Sequence, residues 1–168
     1  MLPMSDTTLA EALALNNAHA TELSWQDENS FAHLLKEAFH ARWSPDQTAF
    51  LIAFDERADY SSENFRWFQR HFKRFVYVDR VVVSPAHRGK GLAKMLYADL
   101  FAAVRTAGQS RVVCEINSDP PNPASDAFHA ALGFVEVGHA ILAGKGKVVR
   151  YLACDLRPSS VRDERLSE

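Results

Sequence analysis

The chain has 168 residues, 47% of them apolar and 24% charged, the size and make-up of one ordinary globular domain with its own core. Its 19 basic side chains stand against 21 acidic ones, a net charge of −2, so no overall basic field recommends it to nucleic acid. No stretch approaches the roughly 18 apolar residues of a membrane span, and the N-terminus lacks the basic-then-apolar order of a secretory signal. The expectation is a cytoplasmic protein without membrane or nucleic-acid partners.

From the N-terminus, LALNN (13–17) reads as a first short strand. SWQDENSFAHLLKEAF (24–39) offers Ser24 as a cap and Phe31, Leu34, Leu35, Ala38 and Phe39 at helical spacing. TAFLIAFD (48–55) is a strand by its aromatic and branched content. A loop or short helix fills the stretch up to Arg74. FVYVDRVVV (75–83) is apolar on both alternating faces, as a central strand covered on both sides would be.

A helix from about Gly89 to Ala107 follows, with Leu92, Met95, Leu96, Leu100, Ala103 and Val104 in one stripe and Gly108 as its stop. RVVCEIN (111–117) is the next strand. Asn122 caps a short helix that has Pro123 at its first position and ends by Gly133. FVEVGHA and KVVRYLACDL then pair as antiparallel strands across AGKG. No repeat or linker divides the chain. The expected architecture is α/β (α+β): one domain over 1–158 with a mixed central sheet flanked by helices, then a flexible, charged tail over 159–168.

Cys114 and Cys154 lie in apolar runs without a Cys-x-x-Cys spacing and read as buried thiols. The seven histidines have no spacing such as His-Glu-x-x-His, so no metal site is expected.

The segment SPAHRGKGLAKML places Arg88, Gly89, Lys90 and Gly91 between a strand and a helix. A helix N-terminus presents unpaired amides and the positive end of the dipole, and glycines let a ligand approach the backbone. Such a turn suits a pyrophosphate. The Walker spacing and the three-glycine dinucleotide fingerprint are both absent.

VVVSPAHRGKGLAKML resembles the acyl-CoA-binding motif of the GNAT acetyltransferase superfamily, with Arg88, Gly91 and Ala93 on its positions. NPASDAFHAALGF resembles a second segment of that family, through Asn122, Ser125, His129, Gly133 and Phe134. The resemblance covers roughly residues 75–140. It implies the GNAT-like fold, acetyl-CoA as co-substrate, and direct acyl transfer to an amine in a ternary complex. The strand backbone at Val81, Val82 and Val83 would bond the pantetheine arm. Residues Arg88, Gly89, Lys90, Gly91, Leu92 and Ala93 would hold the pyrophosphate, with Asn122 and Ser125 beside them. His129 stands where many members carry a tyrosine that protonates the departing thiolate.

An attacking amine must be neutral, and the leaving thiolate can use an acid. Glu115 lies mid-strand, where a carboxylate is costly unless it is partnered or faces a cleft. It is a candidate base or amine anchor, against a paired structural glutamate. Asp79 is a second candidate, against a local salt bridge with Arg80. His129 could supply the acid near its reference pKa of about 6.5, against a half-exposed histidine packed beside Phe128. NFRWFQRHFKRF (64–75) reads as an aromatic packing helix or lid, with Trp67 and Phe68 as a candidate acceptor wall. The acceptor is a small-molecule or peptide amine, and the resemblance leaves a homodimer open. The rival reading is a catalytically idle acyl-CoA-binding sensor or interaction module.

Overall fold

The computed structural model describes residues 1–4, 8–20, 23–119, 121–142 and 147–156. The expected tail and the AGKG turn lie outside these residues. Helix α1 (Leu9–Ala18) and helix α2 (Glu28–Glu37) follow a two-residue strand β1 (Leu2–Pro3). Strands β2 (His40–Trp43) and β3 (Ala49–Asp55) precede helix α3 (Glu63–His71) and strand β4 (Val76–Val83). The second half runs helix α4 (Leu92–Thr106), strand β5 (Arg111–Asp119), helix α5 (Pro123–Ala131), strand β6 (Val135–Leu142) and strand β7 (Lys147–Asp155). This second half is the element order read from the sequence.

The first half required three corrections. LALNN is the second half of α1, because Leu9, Ala12, Leu13 and Asn16 recur at helical spacing and Ala12 and Asn16 are buried. The second helix is capped by Asp27, whose carboxylate accepts from Ser30 N at 2.7 Å, and not by Ser24. Ser24 is held outside it, its carbonyl accepting from Asn16 Nδ2 at 3.1 Å. That helix also stops at Glu37, and His40–Trp43 is a strand paired between β1 and β3. Between β3 and β4 the chain forms α3, capped by Ser62.

The sheet order is β1-β2-β3-β4-β5-β7-β6, antiparallel throughout except for the parallel pair β4 and β5. Side chains alternate across it into two cores. Ala12, Phe31, Phe65 and Phe68 of α1–α3 pack on Phe50, Phe54, Tyr77 and Tyr151 of one face. Leu96, Tyr97, Leu100 and Val104 of α4 pack on Leu51, Val76, Val112 and Cys154 of the other. Each buried Val, Leu or Phe among them stabilises the fold by about 1.5–3 kcal/mol when taken from water. Cys114 and Cys154 are free, buried thiols.

Two irregularities in β4 position everything that follows. Its register against β3 jumps from Ile52↔Arg80 to Ala53↔Val78, so Asp79 has no opposite residue. Such a bulge re-aims the side chains around it. Against β5, only Val76↔Val112 and Tyr77↔Val113 pair. Beyond Tyr77 the two strands part, although β4 continues to Val83 and β5 to Asp119. The parting leaves a wedge open between them.

Candidate functional site

Two clefts open at this wedge. The larger, of about 690 Å³, lies where β4 hands over to α4. After β4 the chain makes one 3₁₀ turn, Pro85–His87, with Ser84 Oγ 2.8 Å from His87 Nδ1. Gly89 and Gly91 then adopt φ of +76° and +78°. A Cβ at either would meet nothing within 4 Å, so glycine is required there by the backbone angle and not by crowding. Helix α4 starts without a side-chain cap, and its first intrahelical bond is Met95 N to Gly91 O at 3.0 Å. The amides of Leu92, Ala93 and Lys94 therefore face the cleft as unclaimed donors, beside the Arg88 guanidinium. A donor set of this kind fits a pyrophosphate.

Of the residues expected to hold the donor, Val81 to Val83, Arg88, Gly89, Gly91 to Ala93, Asn122 and Ser125 line this cleft. Lys90 is exposed and does not belong to the wall, which takes Lys94 and His87 instead. Lys94 follows from helix geometry, since it sits in the first turn of α4. His87 carries no signal of its own. Asn122 acts as the expected cap, its Oδ1 accepting from Ser125 N at 3.2 Å.

His129 also lines this cleft, and it is 6% exposed, not half-exposed. Its Nδ1 lies 2.8 Å from the Ser125 carbonyl oxygen, so that nitrogen carries the proton and donates it. Nε2 then accepts from the Tyr97 hydroxyl at 3.0 Å. Burial lowers the His129 pKa, partly offset by the Ser125 carbonyl and Asp126, so the ring is neutral near pH 7.

The smaller cleft, of about 470 Å³, is lined by Tyr60, Ser62 and Asn64 before and within α3, by Tyr77, Asp79 and Arg80 of β4, and by Glu115 and Asn117 of β5. Glu115 Oε2 is screened from solvent and has no hydrogen-bond partner. Burial pushes the Glu115 carboxyl up to about 7 and nearby Asp79 adds to this, while the polar Tyr77 and Asn64 side chains alongside pull it back. Asn64 is held in turn, its Oδ1 accepting from Tyr151 OH at 3.0 Å. A carboxyl with this pKa exchanges a proton near neutral pH.

Asp79 is in the same cleft, but both its oxygens are committed. Oδ1 accepts from Tyr60 OH at 2.5 Å and Oδ2 from Arg80 Nε at 2.5 Å. The Asp79 and Arg80 side chains are 5% and 3% exposed, a fully buried ion pair. Arg80 Nη1 also donates to Asn16 Oδ1 at 2.7 Å, tying α1 to the bulge. Burial, with the Asp79 carboxylate alongside, raises the Tyr60 phenol. Trp67 and Phe68 do not line this cleft. Phe68 is fully buried, and Trp67 stacks on His71 at 3.7 Å and on Tyr151 at 4.2 Å. Their segment instead contributes Asn64 at the start of α3. Tyr77 was legible in principle, two positions before Asp79 on an alternating strand.

Among the described residues, no group of three His, Cys, Asp or Glu side chains could hold a metal ion, and no helix is long and apolar enough to cross a membrane.

The model of the acetyltransferase (GNAT) family matches residues 17–134. No curated protein matches the sequence. Among solved structures, the fold is similar to the ribosomal-protein-S18-alanine N-acetyltransferase from Escherichia coli, with 16% identity and a TM-score of 0.67 over 99% of this chain and 97% of that one. It is similar to yncA from Salmonella typhimurium, solved with its cofactor acetyl-CoA, at 20% identity and a TM-score of 0.67 over 96% and 95% of the two chains. It also resembles smu.2055 from Streptococcus mutans UA159, at 16% identity and a TM-score of 0.70 over 92% and 98%.

Proposed function

Because the chain belongs to the acetyltransferase (GNAT) family, we propose that it moves the acetyl group of acetyl-CoA directly to a primary amine, both substrates being bound at once. The larger cleft is then the donor site and the smaller one the acceptor site. The observation that carries this reading is the meeting of two unlike surfaces at one wedge. On one side lie open helix amides and Arg88; on the other lies a screened carboxyl with a pKa of about 7.

The parted strand β4 leaves backbone groups around Val81–Val83 free toward β5, where the pantetheine arm would bond. Arg88 and the amides of 92–94 would hold the pyrophosphate. The thioester of acetyl-CoA supplies the activated acyl group. Glu115 takes the proton that an incoming ammonium must lose, its unpartnered Oε2 being the accepting atom. Tyr77 and Asn64 line the cleft beside that carboxylate and favour its charged form. Asp79 acts as a positioning residue, since its oxygens already serve Tyr60 and Arg80. His129 forms the donor wall. It gives a proton to the thiolate only by releasing Tyr97 and exchanging its tautomer.

That engagement of His129 is the one observation favouring the second reading, an acyl-CoA-binding module without turnover. The two separate in one experiment. The protein is incubated with acetyl-CoA and a panel of small amines, amino acids and short peptides, and free thiol is followed. Acceptor-dependent thiol release is expected. A rise in melting temperature with CoA, but no amine above background, would favour the binding module.

A further inference from the structure

The described residues of the α1–α2 connection are absorbed by no step above, yet they line both clefts. His19 and Leu23 line the larger one, and Ala20, Leu23 and Ser24 the smaller. Among the described residues, Leu23 alone belongs to both. For an amine to reach the acyl carbon the two must come within about 3–3.5 Å, so the acyl group has to sit where the clefts join. The side chain at that junction is a branched, apolar one.

Leu23 is held in place from several directions. Its own amide donates to His19 O at 2.9 Å. On its C-terminal side, Asn16 Nδ2 donates to Ser24 O at 3.1 Å. Asn17 clasps Gln26 in both directions, giving to its carbonyl at 2.8 Å and accepting from its amide at 3.0 Å. Asn16 is in turn anchored to β4 by Arg80 at 2.7 Å. The clamp therefore references Leu23 to the same strand that would carry the donor's arm. A side chain fixed to that strand can measure what hangs from it; a loose loop could not.

From the shared lining and the clamp, we propose that Leu23 sets the acyl-chain length the enzyme accepts, admitting acetyl and opposing longer chains that would extend past it toward Glu115. This rests on the donor and acceptor assignment above. One methylene in an apolar pocket is worth about 10–200-fold in discrimination.

The test is calorimetric titration of the full chain with CoA, acetyl-CoA and butyryl-CoA, for the wild type, Leu23→Ala and Leu23→Phe, with melting temperatures confirming that each variant folds. In the wild type butyryl-CoA, two methylenes longer, binds at least about 100-fold more weakly than acetyl-CoA. Leu23→Ala brings the two within about twofold, and Leu23→Phe weakens acetyl-CoA while leaving CoA itself unchanged. If both variants keep the wild-type ratio while Arg88→Ala still weakens CoA, the cleft assignment stands and the role of Leu23 falls. If the wild type does not bind CoA, the assignment itself falls and takes Leu23 with it.

Discussion

The two clefts proposed for donor and acceptor share strand β4, but they are made of different materials. The larger cleft, the proposed donor site, is rich in backbone groups: a strand with free edge groups, two left-handed glycines and an uncapped helix start, with Arg88 and Lys94 as charged side chains in its wall. The smaller cleft, the proposed acceptor site, is mostly side chain: Tyr60, Asn64, Tyr77, Asp79 and Glu115, drawn from three segments, with Tyr60 bonded to Asp79. Backbone groups offer the same amides whatever residue carries them, so the first surface suits a ligand common to a whole family. A side-chain network can be rebuilt residue by residue, which is where acceptor choice is expected to reside.

The sharpest way to break this contrast is at Glu115. Glu115→Gln is expected to lower kcat/KM by about 10²–10⁴-fold and to remove the rise in rate through about pH 7, while leaving the affinity for CoA unchanged. The same variant has a stability signature. Folding raises this carboxyl from its usual 4.5 to about 7, so the native state holds its proton more tightly than the unfolded chain does. The stability this carboxyl contributes is therefore fullest below about pH 4.5 and is lost as pH rises toward 7. Thermal melts should find Glu115→Gln more stable than the wild type at pH 8, with the gap narrowing at pH 5. A less stable variant at pH 8 with full activity would make Glu115 a structural residue.

A smaller effect is expected on the donor side. Arg88→Ala should raise the Kd for CoA about tenfold, by losing a charge-assisted contact, and reduce the salt dependence of binding. Lys90→Ala should change it by less than about twofold, since Lys90 is exposed outside the wall. Equal losses in the two variants would show that the turn acts as a diffuse basic patch and not as a built site.

The smallest effect probes the scaffold of the acceptor side. A Cβ at Gly138 on β6 would stand 2.5 Å from Trp67 Cζ2. Trp67 stacks on Tyr151, which bonds Asn64 beside Glu115. Gly138→Ala should cost about 1–3 kcal/mol of stability through overpacking and raise the acceptor KM severalfold, with the Kd for CoA unmoved. A parallel loss of CoA affinity would mean that the two clefts are not separable in this way.

What could be read without the structure follows the same division. The turn from Val81 to Ala93 is contiguous, and its glycines, basic residues and helix stripe lie within a single window. The helix opening at Asn122–Pro123 is likewise local, as are β5, β6 and β7. In contrast, β2 is four residues, HARW, with only its end residues buried, too short a pattern to announce a strand. The LALNN segment is apolar enough to pass for a strand, until the packing of Ala12 and the bond from Arg80 to Asn16 show its helical face. Trp67 and Phe68 drew attention as large aromatics, yet their size is used in packing, and the cleft takes the smaller Asn64 beside them.

The order of the second half, the pyrophosphate-type turn and the candidacy of Glu115 were legible from residue patterns alone, because each depends on neighbours within a few residues. It took the folded chain to show that Asp79 is spent on Tyr60 and Arg80, that His129 is committed to Tyr97, and that Leu23 stands at the junction of two clefts. Those outcomes depend on a bulge set by the register of β3 against β4, on the parting of β4 from β5, and on contacts between residues as far apart as Asn16 and Arg80. No local pattern encodes a register shift, since it is the packing of both sheet faces at once that selects it.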